Sequence, residues 1–200
     1  ELWYDEGPEV TVGIHGFQNI EEWLDGGITD QIKLSFYKSV LQSLVKVFHL
    51  LNYKYASLFL SYSLSDNPQK LIFDDDSSLV SKIKSDESYK NIFSLIRGQL
   101  VNGILDGQVL LGGQGLEINF EQHDLKFSLH GIKKLEFKAT QAEENVYDLK
   151  ITLFDVYDFN ATEYDFDSTW VFVHIADILE TNFILKNFEI EVKISDILTI

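Results

Sequence analysis

Two carboxylates and a phenol fall within four residues at Asp155, Tyr157 and Asp158. Carboxylate oxygens are hard ligands for Mg²⁺ and act as general bases, and a phenol donates to a phosphate oxygen, so the set suits phosphoester chemistry. The acidic and aromatic character continues through Glu163, Tyr164, Asp165 and Asp167. The same residue types favour turns, so the string also reads as a bend studded with solvated charge. Imidazoles for proton transfer are offered by His174, His123 and His130, although a histidine on an apolar face is commonly a satisfied core residue. Asp74-Asp75-Asp76 has the residue type to hold a divalent cation, but reads equally well as the start of a helix.

The elements that position this cluster follow from periodicity. Tyr147, Leu149, Ile151 and Leu153 alternate with Asp148, Lys150 and Thr152, which makes a β-strand that delivers Asp155 to a loop. Upstream, Leu34, Leu41, Leu44, Phe48, Leu51, Tyr55, Leu58, Phe59 and Tyr62 recur at helical steps, with a break near Asn52 into two helices. Ser65–Pro68 is a stop, Leu71–Phe73 a short strand, and Ser78–Ser85 and 87–101 two further helices. After Gly103 the period switches to short alternating segments at Val109–Leu111, Leu116–Phe120, Leu125–Leu129, Leu135–Ala139 and Val146–Phe154, the signature of an antiparallel meander. Helical character returns over Thr169–Glu180, and Phe183–Ile194 closes the chain as strand. The expectation is an α+β fold, with N-terminal helices followed by an antiparallel β-meander, one late helix and a closing strand. Residues 1–29 read as an N-terminal segment that packs its aromatics on the body. Residues 30–102 form the helical part and 103–200 the β-rich part of one compact domain spanning 30–200.

Composition narrows the partners. Sixteen Lys and Arg stand against 32 Asp and Glu, a formal charge of −16, and Arg97 is the single arginine. Nucleic acid is therefore excluded as a partner. No charge-free apolar run reaches the ~18–20 residues of a bilayer crossing, so no transmembrane span is expected. Without cysteine there is no disulfide or thiolate chemistry. Without methionine, and starting at Glu1, the chain reads as part of a longer precursor.

The stretch Asp155-Val156-Tyr157-Asp158-Phe159-Asn160-Ala161 resembles the Asp-x-Tyr-Asp-Phe motif of colicin M-like bacteriocin and polymorphic-toxin C-terminal domains. The likeness of element order extends over roughly residues 55–196. The resemblance implies a secreted or delivered antibacterial toxin that hydrolyses the lipid-linked peptidoglycan precursor, lipid II, between lipid and pyrophosphate with the help of Mg²⁺. It implies Asp155, Tyr157 and Asp158 as catalytic residues, Asp158 and Asp155 as metal ligands, Asn160 and Tyr164 on the substrate, and a cognate immunity protein as partner. Where the family places a His-Arg pair, this chain has Tyr164-Asp165, so a proton-transfer group and a phosphate-binding cation are both missing; His174 is the replacement imidazole.

Other chemistries find less support. Gly112-Gly113-Gln114-Gly115 lacks the following Lys-Ser or Lys-Thr of a phosphate loop and reads as a hairpin. No nucleophile elbow or His-Glu-x-x-His helix occurs. The competing function class is a non-catalytic relative, in which Tyr157 and Phe159 pack on the core and the domain binds an envelope component or an immunity partner.

Overall fold

A computed structural model describes residues 31–111, 118–129, 132–159 and 168–200, with side chains from 33 onward and, in the last helix, from 174. The helices are α1 (Gln31–Leu50), α2 (Lys54–Ser63), α3 (Ser78–Lys84), α4 (Tyr89–Val101), the single turn α5 (His123–Lys126) and α6 (Ser168–Thr181). The strands are β1 (Leu71–Phe73), β2 (Asp106–Leu110), β3 (Lys134–Glu143), β4 (Val146–Tyr157) and β5 (Phe188–Thr199). The fold is α+β, helices first, with a late helix and a closing strand as expected. Among the described residues no helix is long and apolar enough to cross a membrane. Contacts divide the chain into two units, 1–41 with 159–184 and 42–158 with 185–200.

The second unit holds the sheet, in the order β1-β5-β4-β3-β2. Strands β2 to β5 pair antiparallel, but β1 pairs parallel with β5 through Leu71↔Ile190 and Phe73↔Val192, so the sheet is mixed and not a pure meander. Alternation puts Leu135 and Phe137 of β3, Leu149, Ile151 and Leu153 of β4, and Ile190, Val192 and Ile194 of β5 on one buried face. Phe59, Leu60, Leu79, Ile83, Ile92 and Ile96 supply the helical side of this core. The other face carries exposed Lys138, Asp148, Lys150, Lys193 and Ser195, the one-sided polarity usual in antiparallel sheets.

Asn52 ends α1 at φ 59°, where an asparagine is tolerated. The Tyr53 N–H bonds the Phe48 carbonyl at 2.8 Å, the Asn52 N–H bonds that of His49 at 3.1 Å, and the Tyr53 and Phe48 rings sit 6.1 Å apart. This hydrogen-bonded stop redirects the chain into α2. Ser77 caps α3 by accepting from the Val80 N–H at 3.3 Å.

Leu125–Leu129 is not the expected strand. Asp124, 2 % exposed, turns its carboxylate onto the start of α2: Oδ1 accepts from the Tyr55 and Ala56 N–H groups, both at 2.8 Å. Its Oδ2 accepts from Lys82 Nζ of α3 at 2.7 Å. A second buried carboxylate, Asp86, accepts from the N–H groups of Ser88, Glu121 and Gln122 at 2.9, 3.3 and 2.9 Å. Segment 118–129 is held by these two groups and by its own helical turn, so its backbone has no need of a strand partner. Of the segment expected at Leu116–Phe120, the described Ile118–Phe120 lies outside any strand.

Asp124→Ala leaves two helix-start N–H groups and a half-buried ammonium unmatched, and it is expected to cost about 3 kcal/mol in urea unfolding. Lys82→Met should cost less, since both N–H groups still serve the carboxylate. Burial alone would raise the Asp86 carboxyl, but the N–H groups of Gln122, Ser88 and Glu121 outweigh it and hold it below the usual range. Its contribution is therefore complete above the ordinary aspartate value of about 4 and is lost as pH falls through the lower folded value. Unfolding titrations of Asp86→Asn should show a shallower loss of stability in that acid window than the parent.

Candidate functional site

The strand that carries the motif runs on through Tyr157 instead of ending at Phe154. Asp155 and Tyr157 keep the inward parity of Leu149, Ile151 and Leu153 and face the helical core, 3 % and 2 % exposed. Opposite them on β5 lie Ile190 and Phe188. The Tyr157 ring stands edge-on to Phe59 at 5.8 Å and lies 5.2 Å from Phe188. Phe59 in turn meets Phe73 and Tyr55, so the phenol of the motif is one ring of an aromatic cluster joining α2, β1, β4 and β5. Asp155 Oδ1 accepts from the Val156 N–H at 2.9 Å.

Asp158 stands apart from that pair. It is the first residue beyond β4, its side chain is 35 % exposed, and its Oδ2 lies 4.0 Å from Lys133 Nζ. The Lys133 backbone is fixed between two strands' worth of partners: its N–H bonds the Phe154 carbonyl and its carbonyl accepts from the Leu111 N–H, both at 2.9 Å. An accessible carboxylate and an accessible ammonium thus share the exit of β4. Lys133 was not among the residues that the sequence singled out. Its position depends on the β3–β4 register, Lys134 opposite Phe154, which is invisible without the pairing.

The other candidates distribute as follows. Asn160, Tyr164 and His130 lie outside the described residues, as does the Gly112–Gly115 turn. His174 is half-buried on α6, in the first unit, beside buried Ile175 and Ala176. Phe159, in the same unit, donates its N–H to Glu180 Oε2 at 3.0 Å. His123 stacks on Tyr53 at 5.9 Å and Phe127 at 6.4 Å. Two of the Asp74–Asp76 carboxylates are engaged: Asp74 lies 3.5 Å from Lys193 Nζ of β5, and Asp75 accepts from the Ser195 N–H of β5 at 2.8 Å and from Lys84 at 3.2 Å. The Ser195 N–H, with Lys84, holds the Asp75 carboxyl below its usual range. Among the described residues, no three His, Asp or Glu side chains group as a metal site.

No family model, curated protein or solved structure matches this chain.

Tyr157→Ala removes one buried ring of the aromatic cluster and should cost about 3–5 kcal/mol of stability, whereas Tyr157→Phe keeps the ring contacts and should cost about 1 kcal/mol. Chemical denaturation followed by tryptophan fluorescence or circular dichroism measures both.

Proposed function

We propose that this is an antibacterial toxin domain that hydrolyses lipid II, cutting between the lipid and the pyrophosphate. It acts at the envelope of a target bacterium, after secretion or delivery as part of a larger precursor, with a cognate immunity protein as its natural partner. The observation that carries the reading is the Asp158–Lys133 pair, a carboxylate and a cation both open to solvent where β4 ends. Lys133 meets the need created by the missing family arginine, a positive charge to face a phosphate. In the step proposed, water adds to the phosphorus and passes its proton to Asp158; the bond from phosphorus to the lipid oxygen breaks, and the lipid takes up a proton and leaves as its alcohol. Asp155 and Tyr157 hold the end of β4 rigid behind the reacting carboxylate.

Mg²⁺ is usually held by one or two carboxylates together with substrate phosphates, and a single accessible carboxylate such as Asp158 fits that mode. When bound, the ion would supply positive charge to offset that of the pyrophosphate.

A second reading has its own support. Asp155 and Tyr157 are sealed into the core, as residues of an architectural motif would be. The domain would then bind an envelope component or an immunity partner without turnover.

The test is incubation of the protein with purified lipid II, with and without Mg²⁺. Metal-dependent release of the lipid alcohol is expected, reduced about 100-fold or more in Asp158→Ala and about tenfold in Lys133→Ala. No release by folded parent protein removes hydrolysis and leaves the binding module.

A further inference from the structure

Strand β5 is covered unevenly. On one side β4 pairs with its whole length, but on the other β1 pairs only with Ile190–Val192. Among the described residues no strand lies against that second edge from Lys193 to Thr199. In an antiparallel pair a residue's N–H and C=O point to the same side, so Ser195, Ile197 and Thr199 present theirs outward. Side chains take up part of this row. Asp75 accepts the Ser195 N–H at 2.8 Å, Lys84 donates to the Ser195 carbonyl at 2.7 Å, and Arg97 donates to the Thr199 carbonyl at 3.0 Å. The Ile197 N–H turns to the neighbouring Asp196 carboxylate at 2.8 Å. Among the described residues, the Ile197 carbonyl and the Thr199 N–H are the groups of this row left open.

Helix α4 runs alongside this edge in the same direction, since Tyr89 donates to Asp196 Oδ2 at 2.9 Å and Arg97, two turns on, reaches Thr199. Between helix and edge lies a groove of about 350 Å³ lined by Lys90, Phe93, Ser94 and Arg97 on one side and Ile197–Thr199 on the other. Its charge is unusual for the molecule. In a chain of net charge −16, the only arginine sits here, and among the described residues no carboxylate lies within ion-pair distance of it. Lys90, paired with Glu87 just ahead of the helix, keeps 75 % of its side chain exposed.

We infer that the open edge of β5 accepts an extended acidic segment of a partner protein as an added strand, lying in the groove beside α4. Backbone pairing to Ile197 and Thr199 gives register, while alternate side chains of the guest face the helix. Lys90, Phe93 and Arg97 span about 10 Å along α4. Alternate residues of a strand advance about 6.6 Å per step, so an acidic-x-apolar-x-acidic segment presents its charges to the two cations and its apolar residue to Phe93. A second copy of this chain is a poor guest, because two bodies of charge −16 repel.

Fluorescein-labelled peptides of that pattern, beside counterparts with lysine in place of the acids, provide the test. Anisotropy should report binding of the acidic peptides only, weakened by added salt. Amide shifts in ¹H–¹⁵N spectra should fall on 195–199 and 90–97. Lys90→Glu, which leaves every cap on the edge intact, should weaken binding about tenfold. Thr199→Pro, which deletes the open N–H without touching the β4 ladder, should abolish it, with thermal melts confirming that both variants fold. No binding, equal binding of the lysine peptides, or shifts elsewhere overturn the inference. So does a concentration-dependent dimer that Thr199→Pro dissolves, which would assign the edge to a second copy.

Discussion

Asp124 is the group on which the arrangement of the sheet-bearing unit depends. Its carboxylate replaces a local N-cap for α2, whose first residues have none: Tyr53, at the cap position, makes no side-chain hydrogen bond to the helix. A buried anion is costly unless its lone pairs are met, and here two helix-start N–H groups and the Lys82 ammonium meet them together. The favourable field at a helix N-terminus adds to the same effect. Because the carboxylate is carried by the α5 turn and its three partners come from α2 and α3, it can be satisfied only when all three elements are in place. Asp86 repeats the device one step away, tying the α3–α4 corner to 121–122. The helices that cover the sheet are thus oriented by two buried acids, and the apolar side chains fill the space so defined.

That covering layer explains the uneven fate of the motif. Tyr157 falls where Phe59 of α2, anchored by Asp124 at its first turn, presses on the end of β4. Asp155 shares its face by strand parity, whereas Asp158 is past the last paired residue and escapes the core. One strand end therefore separates three neighbouring polar residues into two environments. Nearby residues with contrasting surroundings are a usual route to different chemical roles. The cation that joins Asp158 comes from the start of the adjacent strand, so the pair is positioned by the β3–β4 ladder and not by a loop.

Much of this was legible from the residues in order. Helical spacing from Leu34 to Tyr62 and its interruption at Asn52 were visible because each is a local property of the chain. The strand at Val146 was equally plain, but its end was not: Asp155 and Tyr157 continue the period of two in polar residues, which reads as the loss of a strand when only hydrophobicity is followed. Leu125, Phe127 and Leu129 alternate like a strand, yet the fate of that segment was decided by Asp124, whose partners lie 42 to 69 positions away. The parallel β1–β5 pairing joins residues far apart in sequence and leaves no periodic trace. The same holds for Lys133 beside Asp158, since a register must be known before a neighbour can be named.

Charge connects these features. With twice as many acids as bases, the chain uses its lysines where an anion must be matched: Lys82 on Asp124, Lys84 on Asp75, Lys70 and Lys193 on Glu191. Apart from the buried Asp124 pair, such partly exposed pairs add little stability singly, so their value lies in where they direct the backbone. Lys84 and Asp75 show it best, because together they occupy both backbone groups of Ser195 on the strand edge. An uncovered edge invites indiscriminate pairing, and charged side chains folded onto it are one means of preventing that. The protection ends near Ile197, where the acids give way to Arg97. An edge capped by an acid and a lysine along one part and left open beside a lone arginine on the next discriminates by position: the capped part refuses a strand, and the open part leaves room for one whose acids face Arg97.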